Sequence, residues 1–155
     1  MHYAVRGLDP KPFEPLFGLP DEALAARGVV RMMVTEKPSF PCRVSLTDRE
    51  IGETVLLLNH VSHDVAGPYR ASHAIFVTEG ARAPAELVDR VPSVFETRTL
   101  SLRGFDSDGM MADAVLTGPG EAEDGIDKLF ADPAIAYIHA HNAARGCFSA
   151  RIERC

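Results

Sequence analysis

The sequence predicts an α+β fold: a mainly antiparallel, mixed β-sheet of about seven strands with two or three short helices. Three observations point there. Strand-like segments follow one another through short connections, several of them hairpin turns such as Asp106-Ser107-Asp108-Gly109. Convincing helix signals are confined to Asp21 to Arg27 and Glu121 to Ala131. No Gly-rich nucleotide loop opens a strand–helix unit, so a doubly wound parallel sheet is not expected. At 155 residues and 46% hydrophobic, the chain fits one domain, 1–155, with a sizeable core.

In chain order, His2 to Gly7 reads as an edge strand with Tyr3 and Val5 on one face. Pro10, Pro12 and Pro15 then resist regular structure, and Phe13, Leu16 and Phe17 pin that stretch to the core. Asp21 to Arg27 starts acidic, ends basic and stops at Gly28, as a helix should. Val29 to Thr35 is a strand by its valines, and Cys42 and Arg43 open a short extended piece. Thr54 to Asn59 holds the longest apolar run, Val55 to Leu58, and implies a strand buried on both faces. His60 to Arg70 reads as a polar loop, followed by a strand from Ser72 to Thr78.

Pro84 in a first turn predicts a short helix over Ala83 to Asp89, stopped by Pro92. Phe95 to Arg103 and Met110 to Leu116 form a hairpin about the Asp106–Gly109 turn. The Glu121 to Ala131 helix carries an apolar stripe of Ile126, Leu129 and Phe130. A last hairpin joins Ala134 to His141 with Cys147 to Glu153.

Charge and composition exclude several classes. Sixteen basic against 22 acidic residues leave a net charge of −6, and no basic run exists, so nucleic acid is not an expected partner. No apolar stretch reaches the roughly 18 residues of a membrane helix. The N-terminus lacks a signal-peptide core, so a cytoplasmic location with no membrane partner is expected. Cys42, Cys147 and Cys155 form neither a disulfide framework nor a CxxC pair.

Two segments concentrate the chemistry. In Tyr137-Ile-His-Ala-His-Asn142, strand alternation puts Tyr137, His139 and His141 on one face and Ile138 and Ala140 on the other. Two such histidines can approach one anion or one metal, or be ordinary hydrogen-bonding residues. The second segment contains His60, His63, Tyr69, Arg70 and His73. Folded over the first, it offers a zinc-like set of His63, His139 and His141, with Asp64 in reach, although no recognised ligand spacing is present.

Arg43, Arg70, Tyr69 and Asn142 suit a small anion, because arginine grips a carboxylate or phosphate in bidentate fashion. The plain alternative for Arg43 is a surface pair with Asp48 or Glu50. Cys42 beside Arg43 suggests an activated thiol with His139 or His141 as base, set against simple apolar packing. Asp106 and Asp108 begin like a calcium loop, but position 117 is threonine where a closing glutamate is needed.

The segments FEPLFGLPDEALAARG, PCRVSLTDREIGETVLLLNH, GPYRASHAIFV and YIHAHNAARGCFSARIER together resemble a bacterial family, the domain of unknown function numbered 1203. The resemblance spans Leu8 to Arg154 and is carried most specifically by Pro41-Cys42-Arg43, Gly52-Glu53, Pro68-Tyr69-Arg70 and Gly146-Cys147-Phe148. It implies a single-domain cytosolic protein and brings no activity, cofactor or catalytic residue with it.

The leading expectation is a small-molecule binding protein or enzyme whose pocket takes an anionic ligand. Its walls would be His139, His141 and Asn142 on one side and His63, Tyr69, Arg70 and Arg43 on the other. Two alternatives stand beside it: a metal-dependent hydrolase built on the histidines, and a homodimeric interaction module formed by an exposed strand edge. No particular cofactor is implied.

Overall fold

The computed structural model describes residues 1–155 and turns the apolar alternation of the sequence into nine strands. They are β1 (Tyr3–Arg6), β2 (Val30–Met33), β3 (Thr54–His63), β4 (Ala71–Thr78), β5 (Glu86–Val88), β6 (Leu100–Phe105), β7 (Met111–Thr117), β8 (Tyr137–Asn142) and β9 (Phe148–Arg154). Helices are short: α1 (Asp21–Ala25), α2 (Ser93–Glu96), α3 (Ala122–Phe130) and a 3-10 helix over Lys11–Leu16. The strands form a six-stranded sheet, β5-β1-β9-β8-β6-β7, and a three-stranded sheet, β2-β3-β4. Every ladder is antiparallel, and a lone parallel bridge joins Cys42 to Phe76. The fold is α+β, with nine strands where about seven were expected, divided between two sheets.

One face of the large sheet is covered by α3. Ile126, Leu129 and Phe130 pack on Leu100, Leu102, Ile138, Ala140 and Ile152 in the main core. Gly125 sets how close the helix comes: a Cβ there would collide with Thr117 Cγ2 and stand 2.7 Å from Leu102 Cδ1. The intrinsic cost of glycine in a helix, about 1 kcal/mol relative to alanine, is offset by that approach.

The small sheet lies toward the opposite face of the large one. At one end its inner residues Leu56, Leu58, Ile75 and Val77 pack with Phe13, Leu24 and Val44 in a second core. Val55 points the other way, against Val34 and Phe40. Both faces of the first half of β3 are therefore covered, as its unbroken apolar run implied.

Several elements differ from the sequence expectations, each for a local reason. Glu86–Val88 is a strand, not part of a helix over Ala83 to Asp89. A seven-residue helix is marginal by itself, while β1 needs a partner for its outer backbone groups, and β5 supplies it through the Val5–Leu87 pairing. β1 is thus interior, between β5 and β9, and not the sheet edge. Phe95 belongs to α2, which starts after Pro92 and buries Val94 and Phe95 together. β3 continues through His63, so the expected loop from His60 shrinks to residues 64–70. No helix is long and apolar enough to cross a membrane.

Candidate functional site

Where the inner face of the small sheet leaves its apolar end, it meets β8 and β9 through imidazoles. Alternation along β8 sends Ile138 and Ala140 into the core under α3 and Tyr137, His139 and His141 to the other face. β3 reaches them through an irregularity. His60 pairs with His73 and Val61 with Ser72, but His63 pairs with Ala71, leaving Ser62 as an extra residue. His60 and His63, an odd number apart, would face opposite ways on a regular strand; the bulge turns both inward. A second bulge in β9, at Ser149, sets Phe148 opposite His141 and on the imidazole face.

The rings form one cluster. His63 lies edge-on to His139 with centroids 5.0 Å apart, and His73 edge-on to His141 at 4.8 Å. Phe105 stacks on Tyr137 at 5.5 Å, and the Arg151 guanidinium sits 3.9 Å over the Tyr137 ring. His60 fills the boundary with the apolar end, against Phe13 and Phe148.

Hydrogen bonds fix tautomers, because a carbonyl oxygen can only accept. His63 Nδ1 lies 2.8 Å from the Tyr69 carbonyl oxygen, so Nδ1 carries the proton and donates. Its Nε2, 2.6 Å from Tyr137 Oη, then accepts from the phenol when the ring is neutral. His141 Nδ1 donates to the Gly146 carbonyl at 2.9 Å, which leaves Nε2 as a bare lone pair when that ring is neutral. Neither ring nitrogen of His139 has a protein partner, although the residue is only 2% exposed; its nitrogens keep contact with solvent through the cleft.

Burial makes these rings reluctant to charge. It pushes His139 down to about 3, with His63 and Arg151 adding to the effect. Burial likewise lowers His141 to about 4, against a smaller opposing pull from its bond to Gly146. His60 and His73 are lowered too, chiefly by burial. At neutral pH His139 and His141 are uncharged hydrogen-bonding groups.

A cleft of about 200 Å³ opens on this cluster. Five of the seven residues anticipated from sequence line it: His63, Tyr69, Arg70, His139 and His141. Arg70 stands at the mouth, paired with Asp64 and half exposed. Six lining residues lie outside the anticipated set: Ser62, Pro68, Ala71, Arg103, Phe105 and Met111. Of these, Arg103 matters most. It pairs with His139 in the β6–β8 register, its Nε donates to Ser101 Oγ at 3.2 Å, and no carboxylate pairs with it. The one available signal was its place on a strand beside the histidine strand, which needs the strand order.

Arg43 and Asn142 do not line the cleft. Arg43 is 2% exposed and donates to the carbonyls of Phe148 and Pro41, at 2.7 and 2.6 Å, and to Cys147 Sγ at 3.1 Å. It ties the Cys42 turn to the last hairpin. The surface partners considered for it are taken by others: Asp48 by Arg98 and Glu50 by Lys37. Asn142 Nδ2 donates to Cys147 Sγ at 3.4 Å. Cys42 is fully buried in the second core, its sulfur accepting from the Thr78 backbone N–H. It belongs to that packing and is not among the cleft residues. No set of three or more His, Cys, Asp or Glu side chains is arranged to hold a metal ion. In the suggested trio of His63, His139 and His141, His63 already spends both ring nitrogens on protein partners.

Residues 39–154 match the model of a family described as a protein of unknown function, DUF1203. The match begins after the FEPLFGLPDEALAARG segment and covers both halves of the imidazole cluster. No curated protein and no solved structure matches the chain.

Proposed function

The chain belongs to the DUF1203 family, which carries no assigned chemistry, and from its own residues we propose that it binds a small organic anion in the cleft between the two sheets. One observation carries this reading: the Arg103 guanidinium, with no carboxylate partner, stands on the strand register of an almost fully buried His139 whose ring nitrogens are both free. A guanidinium beside the neutral His139 ring, which can donate from one nitrogen, is a donor set suited to carboxylate or phosphate oxygens. Phe105, Tyr69 and Met111 supply an apolar wall, so the ligand has an apolar end as well as a charged one.

The size follows from the cleft. At about 200 Å³ the cleft is of a size to hold a small organic acid. The test is titration calorimetry of the intact protein with a panel of small carboxylates and inorganic phosphate. Arg103→Met should weaken the best of them at least about tenfold, the loss of one charge-assisted contact, with the thermal midpoint unchanged. Equal affinity in the wild type and the variant would remove Arg103 from the site and the anion from the reading.

A further inference from the structure

The hydrogen-bonding groups of the cleft are not all donors, and the exception selects among anions. His141 is anchored through Nδ1–H to the Gly146 carbonyl, in the turn joining β8 to β9. Its ring is buried, 3% exposed, and Nε2 has no protein partner while the residue lines the cleft. A neutral imidazole with its proton on Nδ1 presents Nε2 only as an acceptor. His139 beside it can donate from one nitrogen and accept at the other. The cleft therefore offers a free guanidinium for negative charge and, on the same wall, a lone pair that only a donor can satisfy.

We propose that the cleft selects a small carboxylate bearing its own hydroxyl, a 2-hydroxy acid, over the 2-oxo acid of the same skeleton. This rests on the anion-site reading above and adds to it the identity of the group next to the charge. The carboxylate lies on Arg103, the hydroxyl donates to His141 Nε2, and the apolar substituent lies against Phe105 and Tyr69. A 2-oxo acid places a carbonyl oxygen against the Nε2 lone pair, so two acceptors face each other and one buried group goes unpaired. Sites built to pair a ligand hydroxyl reject the analogue lacking it far more strongly than apolar pockets reject a missing methylene.

The neutral ring at His141 does not depend on a fixed negative neighbour. The groups facing it are His139, His73, Phe148, Arg103 and Arg43, all neutral or cationic. Each cation there disfavours a proton on Nε2, so the acceptor character is built into the surroundings.

Mandelate and benzoylformate differ only at that one group and share an aromatic end. Calorimetric titration of the full chain at neutral pH should show mandelate binding at least about tenfold more tightly, a modest share of the discrimination such sites reach. His141→Gln, whose amide can present either a donor or an acceptor, should bring the ratio to about one, while Arg103→Met weakens both ligands together. Should His141→Gln fail to fold, 15N spectra of histidine-labelled wild-type protein decide the matter. They should show His141 protonated at Nδ1 and bare at Nε2, with Nε2 shifting on addition of mandelate and not of benzoylformate. Equal wild-type affinities, or a proton found on Nε2 in the free protein, would overturn the hydroxyl selection and leave the anion site standing. Failure of both ligands to bind while another acid of the panel does would overturn the hydroxyl selection alone, and failure of the whole panel would overturn both.

Discussion

Ile138 and His139 are neighbours on one strand, 0% and 2% exposed, and face opposite surroundings. Ile138 enters a core filled by Ile126, Leu129, Phe130 and Ile152. His139 enters an interface of imidazoles, phenyl rings and a guanidinium, beside a cleft. Burial is the same on the two sides, and the consequences differ. The Ile138 face is stabilised by transfer of apolar surface from water, whereas the His139 face holds polar groups that burial penalises unless something pairs with them. A chain shaped only for stability would place leucine at 139 and 141.

The comparison is broken most severely on the apolar side. Ile138→Ala should cost about 2–4 kcal/mol, transfer and cavity together, read as a lower denaturant midpoint. Ligand affinity at the cleft should move little, because the cavity opens toward α3. A collapse of binding along with stability would show that the two faces are not separable.

Acid acts on the other face alone. In the unfolded chain His139 and His141 titrate near 6.5, while in the fold burial holds them down to about 3 and 4. Between those values the unfolded chain binds more protons, so stability is full above about pH 6.5 and falls steadily as the pH drops toward 4. Denaturation midpoints across that range should decline by the equivalent of a few kcal/mol, and His139→Leu should flatten much of the decline. A pH profile identical in wild type and variant would separate acid lability from this cluster.

A smaller effect is expected at the rim of the cluster. Tyr137→Phe removes the donor to His63 Nε2 and leaves that buried nitrogen unpaired, at a cost of about 1–2 kcal/mol. Loss of less than about 0.3 kcal/mol would mean that water replaces the phenol. The smallest shift belongs to His139→Leu at neutral pH, within about 0.5 kcal/mol of wild type, since the ring makes no protein hydrogen bond for the substitution to break. Such a variant, folded and without ligand affinity, would mark this face as serving binding and not the fold.

The sequence by itself determined much of this protein. Its hairpins follow from turn chemistry at Asp106–Gly109 and Ala143–Gly146, its buried strand from the Val55–Leu58 run, and α3 from an apolar stripe ended by Asp132-Pro133. The split of Tyr137, His139 and His141 from Ile138 and Ala140 follows from the two-residue period of a strand, a local property that any sheet must respect. All of these are short-range.

Only the tertiary structure decided which groups meet. The bulge at Ser62 turns His63 to the side of His60, and a two-versus-one pairing has no signature in one strand alone because it depends on β4. Arg103 enters the site because β6 lies beside β8, although more than thirty residues separate Arg103 from His139 in the chain. Arg43 leaves it because the Cys42 turn presents its guanidinium to the carbonyls of Pro41 and Phe148, a demand created by burial and invisible before the elements pack. Local alternation tells each strand which way its side chains point; the order of the strands and the single extra residue in a ladder tell them what they face.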